Sequence, residues 1–198
     1  MYDAILATDL SILHAIKSTL TCMPLDWFLG FLTLQGEIGA IGIVCGLALL
    51  FKKEYRIYGV MLLLAMLFAS ALTSGLIKNL VQRPRPFIVD PALLNTFVRL
   101  PSSTSFPSTH SSVSFAAATV ICLMPLKHRW IKVAAVVLAA ATAFSRLYFG
   151  VHFPTDVLFG TLFGIASGFA AWALVNAVEQ RRQRLRSGNG PTVPPDES

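Results

Sequence analysis

Apolar residues along this chain gather into runs separated by short polar stretches, and the runs have the length of about 18 to 24 residues that crosses a bilayer core as helix. Five such spans are predicted, over residues 27–50, 57–77, 109–126, 131–149 and 157–178. Residues 4–20 differ, since Ile5, Leu6, Leu10, Leu13, Ile16 and Leu20 alternate with Asp9, His14 and Lys17. That mixture predicts a helix lying at the membrane interface. Lys52, Lys53 and Arg56 mark one tight turn, and Lys127, Arg129 and Lys132 mark another. Residues 78–108 carry five prolines and cannot be a simple spanning helix.

The predicted fold is therefore all-α, a polytopic transmembrane helical bundle of about five spans plus an N-terminal interfacial helix. Its parts are an interfacial amphipathic helix over 1–22, a transmembrane domain over 23–180, and a tail over 181–198 that is basic first and then disordered beyond Ser187.

Composition agrees, with 55% hydrophobic and 13% charged residues, too little polar surface for a soluble catalytic module. Asp3 and Asp9 stand where a signal peptide would be basic, so no cleaved signal is expected. Cys22, Cys45 and Cys122 show neither pairing nor metal spacing and are read as small buried hydrophobes. Gly160, Gly164 and Gly168 share one helical face, which predicts a packing seam inside the bundle rather than a dimer face. A monomer or a weak homodimer is expected. Glu37 interrupts the first apolar run, and its cost at mid-bilayer predicts that it faces the bundle interior near the outer cations.

Charge sets the orientation. Ten of the sixteen Lys and Arg residues fall on the face bearing the 51–56 and 127–132 turns and the C-terminus. The positive-inside tendency makes that face cytoplasmic. Arg181, Arg182, Arg184 and Arg186 are expected to attract anionic headgroups, and no nucleic-acid partner is expected. The predicted location is a multi-pass position in a membrane, with the remaining polar stretches facing away from the cytoplasm.

Those outer stretches hold the chemistry. His152 precedes Pro154, which suits the first turn of a helix, and Asp156 then falls within that turn. A carboxylate holding one ring nitrogen leaves the other free to attack, so His152 is a candidate nucleophile and Asp156 its orienting partner. Ser108 can cap the helix that begins at Thr109, where free N–H groups form a phosphate seat, and His110 there could supply a proton to a leaving oxygen. Lys78, Arg85 and Arg146 sit at separate span ends, and converging cations stabilise the charge of phosphoryl transfer. Arg83 and Arg99 are read as interface anchors.

These residues resemble the type 2 phosphatidic acid phosphatase superfamily, which includes vanadium haloperoxidases and glucose-6-phosphatase. The first signature is met by Lys78, Arg85 and Pro86, and the third by Ser145, Arg146, Gly150, His152 and Asp156. The second, usually Pro-Ser-Gly-His, stands as Pro107-Ser108-Thr109-His110, where Thr109 is expected to narrow the pocket while keeping its backbone donor. The resemblance implies that His152 forms a phosphohistidine, Asp156 orients it, and His110 protonates the leaving group and then activates water. It implies that Lys78, Arg85, Ser108, Arg146 and the Thr109 amide bind phosphate oxygens, with no metal and no cofactor. The implied partner is a lipid phosphate or pyrophosphate, foremost undecaprenyl pyrophosphate. Alternatives are phosphatidylglycerophosphate, phosphatidic acid and the 1-phosphate of lipid A. A non-enzymatic lipid-binding protein would be expected to lose His110, His152 or Asp156, and all three are present.

Overall fold

The computed structural model describes residues 2–36, 39–94 and 97–187, and these fold entirely as helices, turns and loops. In chain order the α-helices are α1 (Tyr2–Leu20), α2 (Met23–Gly36), α3 (Ala40–Phe51), α4 (Arg56–Ser70), α5 (Lys78–Val81), α6 (Pro86–Val89), α7 (Thr109–Leu123), α8 (Arg129–Tyr148) and α9 (Pro154–Arg186). Among the described residues three stretches are long and apolar enough to cross a membrane: Arg56–Val89, Arg129–Tyr148 and Pro154–Arg186. Ala40–Phe51 and Thr109–Leu123 are shorter apolar helices. Large side chains such as Phe51, Leu67, Trp130 and Leu162 lie exposed on this surface, as a lipid-facing exterior requires.

The core that supports the site packs Met61, Leu62, Ala65, Met66 and Ala69 of α4 against Ala116 and Val120 of α7 and Ala171 of α9. The glycine seam joins α7 to α9, as the spacing predicts. A β-carbon at Gly160 or Gly164 would collide with the carbonyl oxygens of Ser108 and Ser112. Backbone thus meets backbone at the end of the bundle where Ser108 and Asp156 stand.

Four features depart from the sequence expectations. The first span is two helices rather than one: α2 runs beside the C-terminal end of α8, then α3 continues along α4. Gly39, at φ +59°, begins α3 beside Met66 and Val113, and Gly46 lies lower, against Leu62. The chain therefore descends in one direction, and the break follows the polar, glycine-containing step that interrupts the apolar run. Glu37 lies outside the described residues.

Secondly, α4 continues through a π-helical stretch, Ala71–Ile77, into α5. Thr73 Oγ1 donates to the Ala69 carbonyl at 2.7 Å within this wider turn. Thirdly, α1 docks its polar residues on protein. Asp9 and Leu13 are buried, and His14 meets Asp90 at 2.8 Å. Lys17 donates to the carbonyls of Ala92 and Leu94. Finally, α9 runs unbroken through the arginine cluster to Arg186, because Arg, Gln and Leu are good helix formers. Its 33 residues make it roughly 50 Å long, so it outreaches a bilayer core of about 30 Å. The predicted disordered segment, beyond Ser187, lies outside the described residues.

The cysteines are unpaired, but Cys22 and Cys45 are exposed rather than buried. Cys45 lines an apolar cavity, so its exposure is not to a polar surface.

Candidate active site

The loop that leaves α8 places His152. Gly150 adopts φ +62°, and a β-carbon there would lie 2.6 Å from the Leu93 carbonyl oxygen, so both conformation and space call for glycine. The amides of Val151 and His152 then donate back to the Arg146 carbonyl at 3.1 and 3.3 Å. Pro154 opens α9, and Asp156 Oδ2 accepts the Phe153 amide at 2.8 Å, closing the first turn.

His152 is buried, with Nε2 3.3 Å from Arg85 Nη1. A guanidinium only donates, so Nε2 is the accepting nitrogen and the ring proton belongs on Nδ1. Nδ1 lies 3.5 Å from Asp156 Oδ2 and has no formed hydrogen bond among the described residues. Burial lowers the His152 pKa, against the opposing pull of Asp156, so the ring is neutral. A neutral ring whose Nε2 carries no proton has a lone pair that can attack an electrophile.

Ser108 caps α7 as its spacing predicts, accepting from the Ser111 amide at 3.4 Å and the Ser111 hydroxyl at 2.9 Å. Its own amide donates to the Asp156 carbonyl at 3.0 Å, which ties the two helix starts together. His110 follows on α7, close enough to Arg146, His152, Lys78 and Arg85 for their charges to act on it. Its Nε2 is buried and has no hydrogen-bond partner among the described residues. Thr109 adds a contact that the motif does not foretell. Its hydroxyl turns to the π-helical stretch, 2.7 Å from Ser74 Oγ and 3.3 Å from Thr73 Oγ1, so the side chain braces α7 on that stretch.

The three cations do converge. Lys78 Nζ donates to the Thr104 carbonyl at 3.0 Å and contacts Ser103 Oγ at 3.4 Å. Arg85 donates to the Ser103 carbonyl at 2.6 Å, the Val151 carbonyl at 2.7 Å and Ser103 Oγ at 3.1 Å. Arg146 is buried at the end of α8, donating to Thr33 Oγ1 and, at 3.2 Å, to Ser145 Oγ.

Several residues join the site that the sequence reading leaves out. Arg83 is half-buried beneath the motif rather than anchored at an interface: it donates to Asp156 Oδ1 at 2.8 Å and Thr155 Oγ1 at 2.7 Å, and its guanidinium stacks 3.9 Å from the Phe153 ring centre. Arg99, by contrast, is exposed. Ser105 donates to Asp156 Oδ2, Thr33 arrives from α2, and Asp9 arrives from α1. One available signal was the Arg-Pro-Arg-Pro step, which sets Arg83 and Arg85 two residues apart on an irregular chain. The others come from distant segments and leave no local pattern.

The PAP2 superfamily model matches residues 59–180 of this chain. A decaprenylphosphoryl-5-phosphoribose phosphatase of Mycobacterium tuberculosis is 37% identical over 138 residues, 68% of this chain and 67% of the relative. An undecaprenyl-diphosphatase of Sulfolobus acidocaldarius is 33% identical over 123 residues, 61% of this chain and 56% of the relative. Among solved structures, a transmembrane PAP2-type phosphatidylglycerolphosphate phosphatase of Bacillus subtilis superposes with a TM-score of 0.72 at 26% identity, covering 90% of this chain and 87% of that one. With the motif residues assembled at one end of a membrane-length helical bundle, the chain belongs to the PAP2 superfamily, among its membrane-embedded lipid phosphatases.

Proposed function

We propose that this chain hydrolyses a phosphate carried on a polyprenyl lipid, foremost undecaprenyl pyrophosphate, through a phosphohistidine at His152 and without a divalent metal. The observation that carries the reading is His152 Nε2 facing Arg85 Nη1 at 3.3 Å, beside Lys78 and His110. In the first step Nε2 forms a bond to phosphorus, the bond from phosphorus to the lipid-side oxygen breaks, and His110 gives that oxygen a proton. Asp156 Oδ2, 3.5 Å from Nδ1, draws in on the Nδ1 proton as the step proceeds and balances the charge gained by the ring. In the second step His110 takes a proton from water, whose oxygen displaces the imidazole and releases orthophosphate. Lys78, Arg85, Ser108, Arg146 and the Thr109 amide serve the phosphate oxygens. These groups are cations and hydrogen-bond donors, which take the oxygens themselves and suit catalysis without a metal.

Two apolar cavities support a lipid substrate. One of about 90 Å³ lies among α3, α4, α7 and α8, and it begins at Leu32 and Thr142, next to the Thr33 and Ser145 that touch Arg146. A second of about 360 Å³ shares Cys45 and Ile121 with it and ends at Lys52. Together they offer an isoprenoid or acyl tail a path away from the phosphate. A second reading, favoured by the mycobacterial relative, places the scissile phosphate on a sugar of a polyprenyl carrier.

Phosphate release by the purified protein tests both readings, compared across undecaprenyl pyrophosphate, decaprenylphosphoryl-5-phosphoribose, phosphatidylglycerophosphate, phosphatidic acid and lipid A, with and without chelator. The highest kcat/KM is expected on a polyprenyl substrate, unchanged by chelator. Preference for a glycerophospholipid overturns the substrate class, and chelator loss restored by magnesium or zinc overturns the metal-free step. Failure on every lipid returns the chain to lipid binding.

The site is proposed to face away from the cytoplasm, with Arg181, Arg182, Arg184 and Arg186 at the inner headgroups, on the charge bias of the turns. In a background lacking the native cysteines, Arg99→Cys is expected to react with a membrane-impermeant thiol reagent in intact cells. Protection until lysis reverses the orientation.

A further inference from the structure

Asp9 lies on α1, 147 positions before Asp156, yet the two carboxylates share one guanidinium. Arg83 Nη1 donates to Asp156 Oδ1 and Nη2 donates to Asp9 Oδ2, both at 2.8 Å. Asp9 also accepts the Thr155 hydroxyl at 2.6 Å and the Thr155 amide at 3.1 Å, one residue before Asp156. Both carboxylates are closed from solvent, Asp9 at 2% and Asp156 at 0% exposed, and the Arg83 side chain between them is 9% exposed. Phe153, under the guanidinium, is fully buried.

Burying two carboxylates and a guanidinium is costly unless each is paired. A link between α1 and α9 alone would be served as well by apolar side chains, so the charges call for another account. The order of charge along the contacts is Asp9 negative, Arg83 positive, Asp156 negative, then His152. With Arg83 alone, the charge of Asp156 would be neutralised by the guanidinium and would offer little to an imidazole turning positive. Asp9 restores a net negative charge to the three groups together, and that charge is placed beside His152.

We infer that Asp9 is a positioning residue for the phosphoryl transfer: acting through Arg83 and Thr155, it holds Asp156 in place and keeps its charge available to His152. This rests on the reading of His152 as nucleophile with Asp156 behind it. Asp9 touches no substrate, so its effect falls on the rate of the chemical step and not on binding. Removing Arg83 instead leaves two carboxylates facing each other, which raises the proton affinity of the pair and disables Asp156.

Steady-state kinetics on the full chain in detergent tests this, using the best lipid of the panel above. Asp9→Asn is expected to lower kcat about tenfold, the equivalent of one pKa unit of lost charge stabilisation, with KM within about twofold. Asp9→Glu, which keeps the charge, is expected to retain more activity than Asp9→Asn. Arg83→Met is expected to be more damaging than Asp9→Asn, and adding Asp9→Asn to it is expected to recover activity, a coupling that independent sites do not show. An unchanged kcat in Asp9→Asn, a loss confined to KM, Glu no better than Asn, or a double variant no better than Arg83→Met each overturns the inference. His152→Ala is measured alongside: if it stays active the nucleophile reading itself fails, whereas an inactive His152→Ala with an unaffected Asp9→Asn removes only the role of Asp9.

Discussion

Replacing His152 by alanine is expected to abolish phosphate release, lowering kcat by about four orders of magnitude or more, because no neighbouring group can take over a bond to phosphorus. The structure gives His152 features that His110 lacks. A carboxylate lies 3.5 Å from its Nδ1, an arginine points at its Nε2, and its backbone is held by the Arg146 carbonyl. His110 sits on a helix start, and its Nε2 meets no hydrogen-bonding carboxylate among the described residues. The two histidines are therefore unequal, and the proposed reading gives attack to His152 and proton transfer to His110. Rapid quenching under alkaline conditions, followed by mapping of the modified peptide, checks the assignment. Phosphate is expected on His152. Its recovery on His110 would exchange the two roles, and substantial turnover by His152→Ala would end the covalent mechanism.

Arg85→Ala is expected to carry the next largest loss, about 3 kcal/mol of transition-state stabilisation, or more than a hundredfold in kcat/KM. Arg85 is 2% exposed and lies 3.3 Å from His152 Nε2, the nitrogen proposed to attack phosphorus. Its planar fork spans the Ser103 carbonyl, the Val151 carbonyl and His152, a reach that an ammonium cannot reproduce. Arg85→Lys should therefore recover part of the loss and not all of it. Thermal unfolding measured beside the kinetics separates a collapsed loop from lost charge. A change under tenfold for Arg85→Ala in a folded protein would reduce it to a structural tie.

Both predictions concern residues that were legible from spacing alone. Lys78, Arg85, Ser108, His110, Arg146, His152 and Asp156 lie in three short segments, each at the end of an apolar run, so hydropathy brings them to one end of the bundle. The seam at Gly160, Gly164 and Gly168 was equally legible, because one residue in four on a helix is a local pattern. What escaped was supplied by distant chain. Asp9 and Lys17 read as a wet helix face, since nothing local distinguishes a carboxylate paired by a remote arginine from one in water. Thr33 looked like any polar residue in an apolar run. The division of the first span into α2 and α3 was hidden because a break between two apolar helices keeps the hydropathy high on both sides. The contacts of the Thr109 hydroxyl were not foreseen, because a motif position fixes the backbone but not the direction of the side chain.

The carbonyls of Ser103 and Thr104 add a consequence for turnover. Lys78 and Arg85 already hold these oxygens, so under the proposed reading a phosphate group enters by exchange and not by filling a bare site. The loop acts as a tethered competitor at high effective concentration, always ready to reclaim its cations. An orthophosphate that has lost its lipid tail has no second foothold against that competitor. A substrate anchored in the bilayer does, and the same exchange that weakens hold on the product leaves the tail to decide which phosphate stays.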